Sequence, residues 1–270
     1  MKKFKRIFIL LFVVFNLYGL LCGVLYFFQD NLIFHPTVLP QDYVYEFNHN
    51  FEEVFLDVND SIHLNGLHFK TKTPKGAILY FHGNAGDIQR WGQLTTFFVD
   101  KGYDVIVMDY RGYGKSSGQR SEQVLYDDAE RWYAYAKEYY DPSQLIIYGR
   151  SLGTTFATYV ASKNPSRNLV LETPFYSLVN EAQSRFPILP VKRLLHYKFP
   201  TYSYINTVNV PITIFHGTED EVVQYEHGKN LFDHITTPHK TFITIPNGGH
   251  NDLVNFKEYT ALIDKVLESH

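Results

Sequence analysis

The sequence predicts an α/β fold with a mostly parallel sheet, an N-terminal antiparallel hairpin, a small cap and one N-terminal transmembrane helix. Short apolar segments of strand length alternate with longer helix-like segments from residue 77 to the C-terminus. Such repeated βα units form a parallel sheet that helices cover on both faces. A hairpin pattern precedes this part of the chain, and a long apolar stretch lies near the N-terminus. We expect three parts, which are a tip and transmembrane anchor at 1–28, a linker at 29–50 and one α/β domain at 51–270 with its cap at about 175–209.

Length and composition limit the functions that the chain can have. Its 270 residues, 45% of them hydrophobic and 20% charged, suit one large α/β domain and exclude intrinsic disorder. A formal net charge of −3 argues against nucleic-acid binding, which requires a strongly basic surface. The lone cysteine, Cys22, excludes an intramolecular disulfide and a thiolate metal site. We therefore expect no metal, no cofactor and no nucleic-acid partner.

The N-terminus has the pattern of an uncleaved membrane anchor. Four basic residues precede an apolar run at 7–28 that is broken by Asn16. As a helix that rises about 1.5 Å per residue, this run spans roughly 33 Å, which matches a hydrocarbon core of about 30 Å. A secretory signal peptide is the alternative. It has a shorter apolar region and ends at a small-residue cleavage site, whereas the residues at 26–29 are Tyr-Phe-Phe-Gln.

Charge predicts which side of the membrane the rest of the chain occupies. No Lys or Arg occurs from residue 29 to residue 69, whereas seven Asp and Glu do. The positive-inside rule therefore places the N-terminus in the cytoplasm and the α/β domain outside it, in the periplasm if the source is a Gram-negative bacterium. Without the four N-terminal charges the formal charge is −7, from 21 basic and 28 acidic residues.

Each strand and helix follows from local hydrophobic patterning. Alternating residues at 52–58 and 62–69, joined at Asn59 and Asp60, predict the antiparallel hairpin. The apolar runs that predict the parallel strands lie at 77–81, 104–108, 145–148, 169–171, 211–215 and 241–245. The segments that predict the helices lie at 90–100, 122–139, 152–162, 224–234 and 253–267. Ser121 is the expected N-cap of the helix at 122–139.

The cap is predicted where this alternation stops. Residues 175–209 contain Pro187, Pro190 and Pro200 and are too many for a simple loop. Five apolar cap residues either line a pocket for an acyl chain or pack on the sheet, and the sequence favours neither arrangement. They are Phe186, Leu189, Leu194, Leu195 and Phe199. If they line a pocket, Lys192 and Arg193 are placed to face lipid head groups.

The strongest chemical signal is the sequence Gly-Arg-Ser-Leu-Gly at 149–153, between a predicted strand and a predicted helix. That position fits the strained turn that exposes a nucleophilic serine, and the flanking glycines leave room for it. At the start of a helix, Ser151 also lies where N–H groups favour developing negative charge. A glycine-rich helix start without chemistry is the alternative, and the tight placement between strand and helix weighs against it.

A nucleophilic serine needs a base that is oriented by an acid, and after such a turn the acid and then the histidine follow the serine in the chain. Asp220 and His250 both come directly after predicted strands, where open α/β sheets bind ligands. Glu219, Glu221 and the more remote Glu172 compete with Asp220 as the acid. Of the 12 histidines, His250 alone has the required order and position.

The negative charge that develops on a substrate oxygen needs two N–H donors. We expect one from Leu152, directly after the serine, and the other from Asn84 in the loop after the strand at 77–81. That loop lacks the Lys-Ser/Thr pair and the glycine spacing of a phosphate-binding loop, so nucleotide binding is not expected.

Several other polar residues are expected to have structural roles. His82 and His216 are expected to hydrogen-bond within their own turns, and an ion pair between Asp109 and Arg111 to brace the loop at 109–118. Most of the remaining histidines are expected at the surface. These are His35, His49, His227, His234, His239 and His270.

Together the motifs resemble the α/β-hydrolase superfamily, and within it the membrane-anchored branch that includes eukaryotic protein depalmitoylases and related bacterial hydrolases. The resemblance covers nearly the whole chain. The segments that carry it are 28–36 after the anchor, 82–86, 109–118, 149–153, 216–221 and 248–252. It implies Ser151 as nucleophile, Asp220 as acid and His250 as base, with oxyanion donors from Asn84 and Leu152. The depalmitoylases carry an N-terminal cysteine cluster, where this chain has a single cysteine.

The sequence favours a serine hydrolase that cleaves a carboxylic ester or thioester through an acyl-enzyme on Ser151. The membrane anchor and compact cap favour a small or lipid-like acyl substrate. An aminopeptidase of the prolyl-aminopeptidase type is the alternative. It needs an acidic group for the substrate amine, and the cap offers only Glu181. The fold also permits a non-catalytic binding module, but the ordered serine, acid and histidine argue against it.

Overall fold

An eight-stranded sheet forms the centre of the structure, a computed structural model that describes residues 2–269. The strands are β1 (Phe51–Asn59), β2 (Ile62–Phe69), β3 (Ala77–Phe81), β4 (Asp104–Met108), β5 (Leu145–Arg150), β6 (Asn168–Glu172), β7 (Ile212–Gly217) and β8 (Lys240–Ile245). Their order across the sheet is β8-β7-β6-β5-β3-β4-β2-β1. The hairpin strands β1 and β2 are antiparallel, as are β2 and β4, and all other neighbours are parallel. The predicted fold class is confirmed.

The helices of the described chain lie before, between and after these strands. They are α1 (Lys2–Ile33), α2 (Ile88–Asp100), α3 (Glu122–Tyr139), α4 (Gly153–Lys163), α5 (Leu178–Arg185), α6 (Val191–Leu194), α7 (Thr201–Ile205), α8 (Tyr225–His234) and α9 (Lys257–Glu268). The N-cap of α3 is Ser121, as predicted, and its hydroxyl accepts the Val124 N–H at 3.3 Å. The predicted C-terminal helix is divided, because Phe256 is extended between a 3₁₀ turn at Leu253–Asn255 and α9.

The core lies in two layers on either side of the sheet. Residues of α3, α4, α7 and α8 pack on one face, and residues of α2 and α9 pack on the other. The strands β3 to β7 are buried along their whole length, which explains why their sequences are continuous apolar runs rather than alternating ones. The helices on both faces therefore leave the ends of the strands as the place for a site.

The helix α1 is long and apolar enough to span a membrane, and its apolar stretch is not buried inside the protein. It continues five residues beyond the predicted end of the anchor at 28, because no glycine or proline interrupts the chain before Pro36. The first part of the predicted linker is therefore helical. Directly after the helix, Phe34 is buried and His35–Pro36 pairs in parallel with Ala85–Gly86.

The cap lies between β6 and β7 and contains the short helices α5, α6 and α7. Helices of only four to eight residues are not stable alone and depend on their packing. Tyr197 and Phe199 supply that packing: both are buried, and the Tyr197 ring meets Phe34 edge-on with their centroids 4.9 Å apart. The cap is thereby fixed to the segment that follows α1.

Candidate active site

Ser151 lies in a strained turn between β5 and α4. Its φ of +51° falls in the left-handed region, which side chains other than that of glycine rarely adopt. The glycines on either side make this turn possible. A Cβ on Gly149 would lie 2.7 Å from the Cβ of Ala157, and a Cβ on Gly153 would overlap the carbonyl of Phe81. The Ser151 N–H donates to the Glu172 carbonyl at 2.9 Å, which ties the turn to β6.

The structure brings Ser151, His250 and Asp220 together from three separate loops. The His250 Nε2 lies 2.9 Å from the Ser151 Oγ, and the His250 Nδ1 lies 2.7 Å from the Asp220 Oδ2. All three residues follow the carboxyl ends of parallel strands, β5, β7 and β8. A histidine held between a hydroxyl and a carboxylate in this way can accept the hydroxyl proton while the carboxylate orients the ring.

Asp220 is held as a carboxylate. Burial disfavours its charge, but hydrogen bonds from His216 and His250, the positive charge of a protonated His250 and the Val223 N–H outweigh that effect and keep the pKa of Asp220 well below its usual range. Its Oδ1 accepts the N–H groups of Val222 at 2.8 Å and Val223 at 2.7 Å. The acceptor facing His250 is therefore ionised at neutral pH.

The competing acids are placed elsewhere. Glu219 and Glu221 point into solvent, and both are exposed. Glu172 is buried, but its carboxylate accepts the Tyr148 hydroxyl at 2.5 Å and lies 3.3 Å from the Arg150 Nε. Of the four acids considered, Asp220 is the one within hydrogen-bond distance of His250.

Arg150 supports the histidine loop, a role that no sequence signal indicated. Its guanidinium is buried, lies over the Trp91 ring and donates from Nη2 to the His250 carbonyl and to the Asn251 Oδ1, both at 3.2 Å. Arg150 occupies a position of the Gly-Arg-Ser-Leu-Gly sequence at which the motif accepts any residue type. Only the tertiary structure shows that it links β6, through Glu172, to the loop after β8.

Leu152 and Asn84 both line the cavity beside Ser151. Within residues 2–269, neither of their main-chain N–H groups donates a hydrogen bond to another protein group. The side chain of Asn84 is already engaged, since its Nδ2 donates to the Ile33 carbonyl at 3.0 Å. A donor role for Asn84 therefore falls to its main-chain N–H rather than to its amide side chain.

The loop at 109–118 is braced differently from the prediction. Arg111 pairs with Asp128 of α3 at 2.7 and 2.8 Å, in the bidentate geometry that a guanidinium favours, rather than with Asp109. Asp109 is buried, lies 3.4 Å from the His82 Nε2 and accepts the Ile88 N–H at 3.2 Å. The predicted ion pair is wrong because it was assigned within one loop, whereas a neighbouring helix supplies the partner.

An apolar cavity of about 550 Å³ opens above Ser151. Four of the five apolar cap residues line it, namely Phe186, Leu189, Leu194 and Leu195. The fifth, Phe199, is fully buried in the core, because the chain turns inward there. Five residues of α1 also line the cavity, which no sequence signal indicated. They are Leu21, Leu25, Gln29, Leu32 and Ile33.

The cavity has little free charge. Glu181 lines it, but its Oε1 accepts the Arg185 Nε–H at 2.8 Å and its Oε2 lies 3.4 Å from the His227 Nε2. His227 is therefore buried beside the cap rather than exposed as predicted, because α8 packs it against α5. Within the described part of the chain, no group of three or more His, Cys, Asp or Glu side chains is placed to hold a metal.

The sequence of this chain is similar to those of known proteins. A protein family described as serine aminopeptidase S33 matches residues 72–204 and 201–255. An uncharacterised protein of Mycobacterium tuberculosis is 32% identical over 229 residues, which cover 83% of this chain and 81% of that protein. Human alpha/beta hydrolase domain-containing protein 17B is 35% identical over 199 residues, 72% of this chain and 66% of the human protein.

The fold is also found in solved structures. The esterase Pf2001 of Pyrococcus furiosus superposes with a TM-score of 0.67 at 19% identity, covering 87% of this chain and 98% of the esterase. At that identity the superposition supports the fold alone.

Proposed function

Because the chain belongs to the α/β-hydrolase superfamily, as a member of the serine aminopeptidase S33 family, we propose that it is a serine hydrolase. Its proposed substrates are carboxylic esters or thioesters with acyl, lipid-like groups. One observation carries the proposal. Asp220, His250 and Ser151 form a hydrogen-bonded triad, and Ser151 lines an apolar cavity. A nucleophile and an acyl-binding surface therefore lie side by side.

The reaction has two halves. His250 accepts the Ser151 proton as the Oγ attacks the substrate carbonyl, and the N–H groups of Leu152 and Asn84 donate to the resulting oxyanion. The bond to the leaving oxygen or sulfur breaks as His250 returns the proton to it, which leaves an acyl group on Ser151. Water then attacks the acyl-enzyme, its proton passes to His250 and on to Ser151, and the carboxylic acid leaves.

An ester fits the cavity better than a peptide amine does. An aminopeptidase must place an uncompensated carboxylate near the substrate's ammonium group. Glu181 is the acid that the cap offers, and Arg185 already compensates its charge through the ion pair at 2.8 Å. A binding module without catalysis is the other alternative, and it does not explain why the backbone of Ser151 is left-handed. Such backbone strain costs about 1–3 kcal/mol and is concentrated at functional sites.

The proposed location follows from α1. We propose that it anchors the protein in a membrane with the N-terminus in the cytoplasm and the α/β domain on the other side. The length and apolar character of α1 support the anchoring, and the basic residues before it, together with the absence of Lys and Arg from 29 to 69, support the orientation. A C-terminal reporter that is active only in the cytoplasm should therefore be silent.

Fluorophosphonate labelling tests the mechanism. The full-length protein in detergent should be labelled on Ser151, and Ser151→Ala should abolish labelling. Ser162→Ala is the matched control, because that hydroxyl lies at the far end of α4 and donates to the Tyr159 carbonyl. Esters, thioesters and aminoacyl amides of graded chain length then identify the bond that is cleaved. A folded wild-type protein that remains unlabelled would refute the proposal.

A further inference from the structure

One wall of the cavity belongs to α1 rather than to the α/β domain. Leu21, Leu25 and Gln29 follow one another at intervals of four residues and, with Leu32, lie on one face of the helix. Leu21 and Leu25 are part of the apolar run at 7–28. The cavity that contains Ser151 therefore extends to a stretch of helix that we place in the bilayer.

This wall is fixed to the cap by polar contacts. Gln29 is the buried residue of α1, and its side chain donates to the Leu194 carbonyl at 3.0 Å and accepts the His196 N–H at 2.7 Å. Further toward the N-terminus, the Tyr18 hydroxyl donates to the Ile188 carbonyl at 2.8 Å. The cap segment from 188 to 196 thus runs alongside the helix from Tyr18 to Gln29.

These contacts set the depth of the cap. Tyr18 and Gln29 are eleven residues apart, which is roughly 16 Å along a helix. With the run at 7–28 in the hydrocarbon, Gln29 lies at the head-group level and Ile188 lies well inside the leaflet. The exposed side chains agree with this placement, since Ile188 is 80% exposed and Phe186 is 53% exposed. In this placement their exposed apolar surface faces lipid instead of water.

Two basic residues of the cap lie near the head-group level rather than in the interior of the leaflet. Lys192 and Arg193 are exposed and belong to α6, whose last residue, Leu194, accepts the hydrogen bond from Gln29. Two cations at head-group level match the phosphate of a membrane lipid. Apolar residues thus lie at the depth of the acyl chains and basic residues at the depth of the phosphates.

We propose that the cavity takes the acyl chain of a glycerolipid directly from the leaflet, between α1 and the cap, and that α1 is a specificity-determining part of the site. The proposal rests on the proposed serine hydrolase function and adds its substrate class, a long-chain phospholipid ester. Leu21, Leu25 and Leu32 contact the chain, while Lys192 and Arg193 hold the head group. The ester carbonyl then lies beside Ser151.

The test fills the cavity from the α1 side. Leu25→Trp places an indole in the cavity wall, and Val24→Trp is the matched control, because Val24 is exposed on the same turn and does not line the cavity. Full-length proteins are reconstituted in vesicles of phosphatidylcholine and phosphatidylglycerol. Fatty-acid release, hydrolysis of a soluble acetyl ester and fluorophosphonate labelling are measured in parallel.

Leu25→Trp should lower fatty-acid release about tenfold relative to its acetyl-ester hydrolysis, since the indole takes up cavity volume that a long acyl chain needs and an acetyl group does not. Val24→Trp should keep the wild-type ratio. An unchanged ratio in Leu25→Trp, or equal loss in both variants, overturns the role of α1. Hydrolysis of an added S-acylated peptide, with no release of fatty acid from the vesicle phospholipids, overturns the substrate class. Both leave the hydrolase function standing, whereas an unlabelled wild type with no acetyl-ester hydrolysis refutes the function itself.

A second measurement tests depth without relying on activity. Ile188→Trp in the Ser151→Ala background should be quenched strongly by lipids brominated along their acyl chains. Leu94→Trp, exposed on α2 away from the cap, should not be quenched beyond the native tryptophans. Equal quenching at the two positions would contradict the insertion of the cap.

Discussion

Replacing Arg150 by Met should destabilise the protein strongly, because it leaves a buried carboxylate without its cation. Glu172 is 5% exposed and would retain only the Tyr148 hydroxyl as a side-chain partner. Removing one partner of a buried pair typically costs about 3–5 kcal/mol. For a chain of this size, about 2–4 °C of melting temperature corresponds to each kcal/mol, so a decrease of roughly 6–20 °C is expected.

A double variant separates two roles of Arg150. Arg150→Met/Glu172→Gln removes the unpaired charge, so most of the lost melting temperature should return. The hydrogen bonds from Arg150 to the His250 carbonyl and to Asn251 are absent in both variants. Each is worth about 0.5–1.5 kcal/mol, so fluorophosphonate labelling should stay slow in both.

Thermal unfolding followed by near-ultraviolet circular dichroism gives the melting temperature of each variant. The rate of fluorophosphonate labelling shows how well His250 is held beside Ser151. A melting temperature of Arg150→Met within about 2 °C of the wild type would show that Glu172 does not depend on Arg150. Rapid labelling of the double variant would show that Arg150 has no part in holding His250.

Asp220, Gly153 and Gln29 make contacts whose loss should be measurable. Asp220→Asn should melt below the wild type at neutral pH. The difference in melting temperature should disappear as pH falls through the lowered pKa of Asp220, since an acid with a depressed pKa stabilises the fold only while it is ionised. A difference in melting temperature that stays constant across pH would contradict this. Gly153→Ala should destabilise by about 1–3 kcal/mol and slow labelling, because its Cβ meets the Phe81 carbonyl, and a normal melting temperature would contradict the overlap. Gln29→Leu removes two hydrogen bonds to the cap, so tryptic cleavage after Lys192 and Arg193 should accelerate about tenfold. Asn31 is exposed on the same helix, so Asn31→Leu should be cleaved at the wild-type rate.

The sheet could be predicted from the sequence because its strands are set locally. The strand at 104–108 and the helix at 122–139 have the predicted bounds, since apolar runs and an N-cap serine are short-range signals. The grouping of Ser151, Asp220 and His250 was also within reach. Residues after the carboxyl ends of parallel strands meet at one edge of a sheet, whatever their separation in the chain.

The partners of buried charges could not be predicted in this way. Arg111 pairs with Asp128 and Arg150 with Glu172, and in both cases the partner is on a different element. Periodicity shows which residues are buried but not which elements become neighbours. The burial of His227 is of the same kind, because it depends on how α8 meets the cap.

The role of α1 illustrates what composition conceals. An apolar helix that only tethers an enzyme needs no contact with the catalytic domain, and ordering side chains at such a contact is entropically unfavourable. Here Gln29 is buried against the cap and the Asn84 side chain holds the carbonyl of Ile33. Asn84 also belongs to the loop beside Ser151. A shift of α1 along the membrane normal would therefore move both a wall of the cavity and the loop proposed to supply an oxyanion donor. Membrane anchoring and substrate selection are, on this reasoning, properties of one helix rather than of two separate parts.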